Sequence, residues 1–274
     1  MSVRELLEKK NYNFNDLREI MEILRSENGC PWDREQTHKS IRNNFIEETY
    51  EFVEGIDKDD SDIMKEELGD VLLQVVFHAR MSEESGDFNI DDVADGICKK
   101  LIYRHPHIFA DTLVKNSDEV LKNWDELKKK EKGQKSASDA LKSVSKALPS
   151  LVRASKIQAK AAKVGFDYGN AEDALAKVRE ETEEVAAELE NAVSGKSSNL
   201  SEELGDLLFA VVNVARLSGV NSEEALYNAN EKFERRFAKV EEEAVKQGNR
   251  LENMTLEQMD SIWNDVKKAE KGEK

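Results

Sequence analysis

The chain has 274 residues, enough for one large domain or two of ordinary size, since domains typically have about 100–200 residues. Its 57 acidic residues outnumber its 41 basic residues, and the formal net charge is −16. Nonspecific nucleic-acid binding depends on Lys and Arg that neutralise phosphates, so this charge argues against nucleic acid as a partner. Only three prolines occur, and Glu, Lys, Ala and Leu are abundant, so the composition predicts helix throughout.

The opening segment, MSVRELLEKKNYNF, is polar and lacks the apolar core of a signal peptide. The longest apolar patch, VLLQVVFHA, is far shorter than the roughly 20 apolar residues of a membrane span, so we expect no membrane association. Cys30 and Cys98 are isolated, without C-x-x-C spacing or a disulfide framework. The simplest expectation is a reduced, cytoplasmic protein.

Cys30 begins a C-P-W-D motif that could suggest a nucleophilic cysteine. Such a nucleophile needs an activating base, and no His–Asp arrangement can be argued around it. We therefore expect a turn ahead of a helix, with Pro31 near the helix start and Trp32 packed. His105 and His107, separated by one proline, have a spacing that could bind a metal, but the sequence offers no further ligands for them.

Two acidic motifs of the first half return, in the same order, in the second half. They are EETYE (47–51) and EELGDVLLQVV (66–76), then EETEE (180–184) and EELGDLLFAVV (202–212). Further on, KLIYR and WDELK align with KFERR and WNDVK, and all four blocks repeat at offsets of 132–139 residues. This repeat predicts two related all-α domains, at residues 1–130 and 151–274, joined by a polar linker over 131–150.

In each half the acidic side chains form two i, i+3 pairs, and residues three apart share a helix face. The pairs are Glu48 with Glu51 and Glu67 with Asp70, repeated as Glu181 with Glu184 and Glu203 with Asp206. A turn between the two helices of each half would bring four carboxylates to one space. Like charges repel there unless a cation lies among them, and oxygen-only ligands favour Mg²⁺, with Mn²⁺ as a substitute. A di-iron bundle fits less well, because its Glu-x-x-His pairs are absent.

Gly69 and Gly205 lie inside these predicted helices, where glycine costs about 1 kcal/mol relative to alanine. We expect them to allow close approach of another helix, or of a metal-bound ligand, to the backbone. Tight packing alone is the alternative. For the acidic motifs the alternative is a solvated helix face, which is common in an acidic chain but does not explain the repetition.

The chain resembles the MazG family of nucleoside triphosphate pyrophosphohydrolases in its repeated acidic motifs and in the KFERR and WNDVK blocks. Three further segments carry the same resemblance: NGCPWDREQTHKSI, RHPHIFAD and KVGFDY. The resemblance covers nearly the whole chain, from Asn15 to Lys268. It implies two tandem all-α, MazG-like helical bundles and a homodimer. It also implies Mg²⁺-dependent hydrolysis of a nucleoside triphosphate at the α–β phosphate bond, giving a monophosphate and pyrophosphate, with broad (d)NTP house-cleaning as the expected role.

The same resemblance implies phosphate contacts for Lys232 and Arg236, with Arg235 nearby, and a nucleotide-lining position for Trp263. A charged outer helix face and a packing tryptophan are the alternatives for these residues. The aromatic residues of VGFDY, Phe166 and Tyr168, are weaker candidates for the base pocket.

The two halves differ around their carboxylates. Lys177 aligns with Asn44, and Asn213, seven residues after Asp206, aligns with Phe77. The second half therefore adds a cation and a hydrogen-bonding group that suit a polyphosphate substrate. We predict that it holds the principal catalytic site, and that the first half holds a second, weaker one.

In the predicted mechanism, Glu181 and Glu203 act as catalytic carboxylates through the metal, which positions a water for in-line attack. Glu180, or an unshared oxygen of a ligand carboxylate, would orient that water. Two other functions remain open: a helical sensor or scaffold that binds Mg²⁺–nucleotide without hydrolysing it, and a narrow pyrophosphatase for dUTP or a modified dNTP.

Overall fold

The computed structural model describes residues 3–131, 133, 136–270 and 272. These residues contain helices and no strand, which confirms the predicted all-α class. The chain divides into two compact units, Met1–Lys128 and Lys129–Lys274. Among the helices with described placement, none is both long and apolar enough to cross a membrane. The cytoplasmic location stays a prediction.

The helices of the first part of the chain are α1 (Val3–Leu7), α2 (Phe14–Arg25), α3 (Pro31–Glu35), α4 (Arg42–Asp57), α5 (Ser61–Ser85), α6 (Ile90–Arg104), α7 (Pro106–Phe109) and α8 (Ser117–Glu131). Those of the second part are α9 (Ala137–Lys142), α10 (Ser150–Ala162), α11 (Ala171–Val193), α12 (Leu200–Leu217), α13 (Ser222–Lys246) and α14 (Leu256–Glu270), with a 3₁₀ turn at Leu251–Asn253. Helix α9 lies within the segment predicted as linker, and the predicted domain boundaries stay a prediction.

The first unit is built on the antiparallel pair α4 and α5, with α2 and α6 packed against α5. Local sequence explains the boundaries of α5: the Asp60 side chain accepts hydrogen bonds from the first backbone N–H groups, and Gly86 ends the helix at a positive φ of 78°. The core of the unit contains Met21, Ile41 and Phe77 together with other apolar side chains of α2 and α5. The α4–α5 hairpin that the sequence predicted is therefore held by an apolar core behind α5.

Of two predictions about the C-P-W-D motif, one is confirmed and one was wrong. Pro31 is the first residue of α3, as expected. Trp32, however, is 57% exposed, so the expectation that it packs was wrong. Helix α3 is a short helix of five residues, and the described residues leave its outer side at Trp32 largely exposed.

The second unit repeats the hairpin with α11 and α12, which pack along each other. Helix α10 contacts α12 and α13, and α13 pairs with α14. The α13–α14 pair has its own apolar cluster, centred on Val240, Ala244 and Ile262. The carboxylate motifs of the second half thus lie on a hairpin that α10 supports from one side.

The expectation that another helix closely approaches the motif glycines was wrong, while the approach of a metal-bound ligand stays a prediction. A Cβ atom placed on Gly69 or Gly205 would meet no atom within 4 Å. The tight approach in the first hairpin occurs instead at Gly55, where such an atom would lie 3.0 Å from the backbone nitrogen of Met64. The reason is that Gly69 and Gly205 face away from the neighbouring helices of this chain, whereas Gly55 lies where α4 turns back into α5.

Candidate functional site

The turn between α11 and α12 aligns the two acidic motifs of the second unit. Glu188 of α11 accepts a hydrogen bond from the backbone nitrogen of Asn199 at 2.7 Å, and its carbonyl accepts one from Ser198 Oγ at 2.8 Å. The hydrogen bond from the Asn199 nitrogen is the main reason that the pKa of Glu188 lies below its usual value, and the Ser198 side chain adds to this effect. A charged carboxylate therefore fixes the turn, and the register of α11 against α12 with it.

Three of the four predicted carboxylates in this unit meet in space. One oxygen each of Glu181, Glu184 and Glu203 lies within 4.8 Å of the others. Asp206, the fourth, lies outside this group but lines the cavity beside it. Glu181 is the innermost member, with only 4% of the residue exposed, and its Oε2 has no hydrogen-bond partner among the described residues.

Proximity changes the acidity of the cluster. Burial, and then the charges of Asp206 and Glu181, raise the pKa of Glu203. The hydrogen bond that a protonated Glu184 would share with Glu181, and then burial, raise the pKa of Glu184. Glu184 and Glu203 are thus harder to ionise beside their neighbours, as expected where negative charges converge without a cation. Oxygen donors at this spacing, one of them buried and unpartnered, fit a hard divalent cation such as Mg²⁺.

Lys177 supplies the positive charge at the base of the cluster. Its Nζ lies 2.6 Å from Glu181 Oε1 and 2.9 Å from Oε1 of Glu180. The hydrogen bond to Glu181, followed by that to Glu180, raises the pKa of Lys177. The lysine therefore stays charged and orients Glu181, while Glu180 is itself exposed and adjacent.

A cavity of about 730 Å³ opens next to the carboxylates. Its polar wall includes Lys177, Glu181 and Asp206, and its other residues are largely apolar or aromatic. Phe166 and Tyr168, predicted as weaker candidates for a base pocket, both line it. The arrangement places charged groups and aromatic side chains in one space of a size that suits a small organic ligand.

An ion pair orders one wall of this cavity. The guanidinium of Arg216 binds the Asp167 carboxylate through both terminal nitrogens, and it holds the pKa of Asp167 below its usual value. The Nε of Arg216 also donates to Asn213 Oδ1 at 3.0 Å. Because a guanidinium can only donate, this bond fixes the orientation of the Asn213 amide, whose NH₂ group is then the end available to a ligand.

Four residues implied by the resemblance do not line this cavity. Arg236 donates to Glu270 at 2.7 Å, and Arg235 approaches the same carboxylate at 3.5 Å. Trp263 packs against Phe233, with ring centres 5.2 Å apart. These contacts belong to the α13–α14 pair. Lys232, the fourth of these residues, is an exposed residue of α13. The Arg236–Glu270 bond is the main reason that the pKa of Glu270 falls to about 2.

The first unit carries a similar cluster with different surroundings. Oxygens of Glu48, Glu67 and Asp70 lie within 4.8 Å of one another, and burial raises the pKa of both Glu48 and Glu67. Glu51 is outside that group, although its charge contributes to the raised pKa of Glu67. Phe77, the counterpart of Asn213, is buried in the core. Among the residues that the structure describes, neither His105 nor His107 belongs to a cluster that could hold a metal.

Sequence reasoning missed three polar cavity residues: Gln158, Asp167 and Arg216. Asp167 lies within VGFDY and could have been noted as acidic, and Arg216 ends the apolar run of α12. Gln158 is a single polar residue in an amphipathic helix and gives no sequence signal. Only the packing of α10 against α12 reveals it.

Comparison with known proteins gives consistent matches. The MazG nucleotide pyrophosphohydrolase domain matches this chain twice, at residues 36–109 and 170–241. A nucleoside triphosphate pyrophosphohydrolase of Escherichia coli is 47% identical over 92% of this chain and 95% of its own length. The nucleoside triphosphate pyrophosphohydrolase/pyrophosphatase MazG of Thermotoga maritima is 44% identical over 93% of this chain and 95% of its own. Uncharacterized protein YabN of Bacillus subtilis is 49% identical over 95% of this chain, which spans 53% of that protein.

Proposed function

The chain belongs to the MazG nucleotide pyrophosphohydrolase family, and we propose that it hydrolyses nucleoside triphosphates to a nucleoside monophosphate and pyrophosphate. The observation that carries this proposal is the buried, unpartnered Oε2 of Glu181, which lies among carboxylates beside a cavity lined with aromatic groups. An uncompensated oxygen of this kind is costly unless a cation binds there. A cation among carboxylates is the expected partner of a triphosphate.

Magnesium is the proposed ion, with manganese as a substitute, and Glu181, Glu184, Glu203 and Asp206 would hold it. When bound, Mg²⁺ would neutralise charge on the phosphates and acidify a water. Lys177 holds Glu181 in place through the 2.6 Å ion pair. It would also offer a second cation to the phosphates, because an ammonium has three donors and Glu180 and Glu181 use two of them.

The reaction needs a water oriented in line with the leaving pyrophosphate. Attack forms a bond from the water oxygen to the α phosphorus and breaks the bond from that phosphorus to the bridging oxygen. The proton from water passes to a carboxylate oxygen. Glu180, exposed and adjacent to the cluster, is our candidate for that acceptor, and an unshared oxygen of a clustered carboxylate is the alternative.

The direct test incubates the full chain with ATP and Mg²⁺ and identifies the products by anion-exchange chromatography. AMP and pyrophosphate are expected, while ADP and orthophosphate would contradict the proposed cleavage position. A panel of ribo- and deoxyribonucleoside triphosphates then tests the proposed breadth. Hydrolysis of dUTP alone would instead indicate a narrow pyrophosphatase.

The second unit is proposed as the principal catalytic site. Glu203→Ala is expected to abolish turnover, whereas Glu67→Ala, its counterpart in the first unit, should leave most of it. The physical reason is that Lys177 and Asn213 border the second cluster, whereas Phe77 of the first unit is buried in the core. Equal losses of kcat in the two variants would reject this ranking.

A homodimer is also proposed, because one face of α12 is apolar and uncovered in this chain. Leu204, Leu208 and Val211 are exposed at i, i+4 and i+7 spacing. Asp206 lies about 200° around the helix from Leu208, so a second copy on this face would leave the carboxylates accessible. Light scattering coupled to size exclusion should give twice the chain mass, and Leu208→Glu should yield the monomer. A monomeric wild-type chain would contradict the proposal.

A further inference from the structure

One buried side chain on the cavity wall has an incomplete set of hydrogen bonds. Gln158 of α10 is 5% exposed, and its Nε2 donates to the backbone carbonyl of Phe209 on α12 at 2.8 Å. Gln158 lines the same cavity, and its Oε1 is buried with no partner in the described part of the chain. A buried carbonyl without a donor is unfavourable, so a ligand that supplies the donor would gain from it.

The orientation of this amide follows from its chemistry. The Phe209 carbonyl can only accept a hydrogen bond, so the NH₂ end of Gln158 must face it. Rotating the amide would place two acceptors against each other. The end of the amide left without a partner is therefore an acceptor, and it would select for an N–H or O–H on a ligand that reaches it.

The position of Gln158 relative to the carboxylates suits the base of a nucleotide. Phe209, to which Gln158 is bonded, lies three residues after Asp206 on α12, which is about 4.5 Å along the helix axis. Asn213 lies four residues further along the same helix, and its carbonyl is already bonded to Arg216. Beyond the charged groups, the cavity thus offers one acceptor and one amide donor, with Phe166 and Tyr168 beside them.

We propose that Gln158 is a base-reading residue whose Oε1 accepts a hydrogen bond from an N–H of the nucleobase. That N–H is an exocyclic amino group or a ring imide, and the Asn213 amide donates to an acceptor on the same base. This inference rests on the proposed function, because it takes a nucleotide as the occupant of the cavity. It assigns to α10, a helix outside the acidic motifs, a part in substrate choice.

A purely structural role for Gln158 makes a different prediction. The bond to Phe209 ties α10 to α12, and its loss would lower stability and affect all substrates alike. A base-reading role instead changes the ratio between two substrates of which only one carries the donor. The test must therefore compare nucleotide pairs.

The experiment measures kcat/KM for four pairs in wild type and in Gln158→Met. The pairs are ATP with purine riboside triphosphate, CTP with pyrimidin-2-one riboside triphosphate, UTP with N3-methyluridine triphosphate, and GTP with N1-methylguanosine triphosphate. For the natural nucleotide with the highest kcat/KM, removing the donor should cost wild type about tenfold or more. In Gln158→Met that ratio should fall to near one.

Gln74→Met is the matched control. Gln74 is a buried glutamine of α5 whose Oε1 also lacks a partner among the described residues, and it does not line this cavity. The control should keep the full discrimination of wild type. Should Gln158→Met fail to fold, Gln158→Asn withdraws the carbonyl by one methylene and serves the same comparison. A wild type that treats both members of every pair alike, or a folded Gln158 variant that keeps the wild-type ratio, overturns the proposal.

Binding separates this inference from the proposed function. Titration calorimetry with the corresponding monophosphate pairs, such as AMP and purine riboside monophosphate, needs neither metal nor turnover. Tighter binding of the donor-bearing member by wild type but not by Gln158→Met would support base reading even if no triphosphate were hydrolysed. Hydrolysis without any such preference would overturn base reading and leave the proposed function intact.

Discussion

Glu181→Gln should be at least as stable as wild type without Mg²⁺ and less stable than wild type when Mg²⁺ is added. In metal-free protein Glu181 is buried beside Glu184 and Glu203, and its Oε2 has no hydrogen-bond partner among the described residues. An amide of the same shape removes one negative charge from the cluster and keeps an oxygen for Lys177. The variant should therefore be as stable as wild type, or more stable, in the presence of a chelator.

With Mg²⁺ the order should reverse, because the wild-type site gains a ligand that binds only the folded state. At 100 times the dissociation constant this linkage contributes about 2.7 kcal/mol. For a unit of this size each kcal/mol moves Tm by about 2–4 °C, so the wild-type transition should rise by about 5–11 °C. If losing one ligand weakens affinity by about 100-fold, the variant gains only about 0.4 kcal/mol at the same Mg²⁺ concentration.

Differential scanning calorimetry of the full chain, with a chelator and with Mg²⁺, measures both effects. Glu183→Gln is the matched control, since it removes the same charge from an exposed position of the same helix. It should respond to Mg²⁺ as wild type does. A wild-type transition that Mg²⁺ does not move, or a Glu181→Gln transition that moves as far as wild type, would refute the assignment of a cation to this cluster.

Two further predictions concern the first unit. Gly55→Ala should lower the free energy of unfolding by about 1–3 kcal/mol, because the new Cβ would lie 3.0 Å from the Met64 nitrogen. The Cβ of Gly69→Ala would meet nothing within 4 Å, so this variant should be neutral or should raise the free energy of unfolding by up to about 1 kcal/mol. Urea titrations measure both changes. Burial, and then the charge of His38, hold the pKa of His78 below its usual value of 6.5. The His78 imidazole therefore binds a proton more readily in the unfolded chain than in the folded protein, and the free energy of unfolding should fall as the pH drops below 6.5. His78→Gln should make that pH dependence shallower, and an unchanged slope in urea titrations between pH 7.5 and 5 would contradict this reading.

The sequence predicted the elements that depend on local pattern. Apolar spacing gave the helices, and the i, i+3 acidic pairs across a polar turn gave the two hairpins that bring Glu181 and Glu203 together. Such features are readable because helical geometry alone determines which residues share a face. Nothing beyond the chain segment itself is needed to predict them.

Properties that depend on a third helix were not readable in the same way. Spacing shows that Gly205 and Trp32 lie on particular faces but not whether another element covers those faces. The expectations that a helix approaches Gly205 and that Trp32 packs were both wrong. Gln158 is the converse case, since it becomes part of the cavity only because α10 packs on α12. A polar residue in an amphipathic helix looks the same in sequence whether it faces water or a binding cavity.

The two hairpins together indicate what separates holding a cation from acting on a substrate. Each hairpin clusters three carboxylates within 4.8 Å, so the proposed ion site would be a feature of the repeated motif itself. At the matching position of the second helix, however, Phe77 fills the core of the first unit, whereas Asn213 borders a cavity in the second. The carboxylates would therefore supply the proposed metal site in either copy, while the residue seven positions after the last carboxylate lies in an apolar core in the first unit and on a cavity in the second. On this argument, restoring a cavity at Phe77 is a precondition for nucleotide turnover in the first unit, and adding acidic residues there would not achieve it.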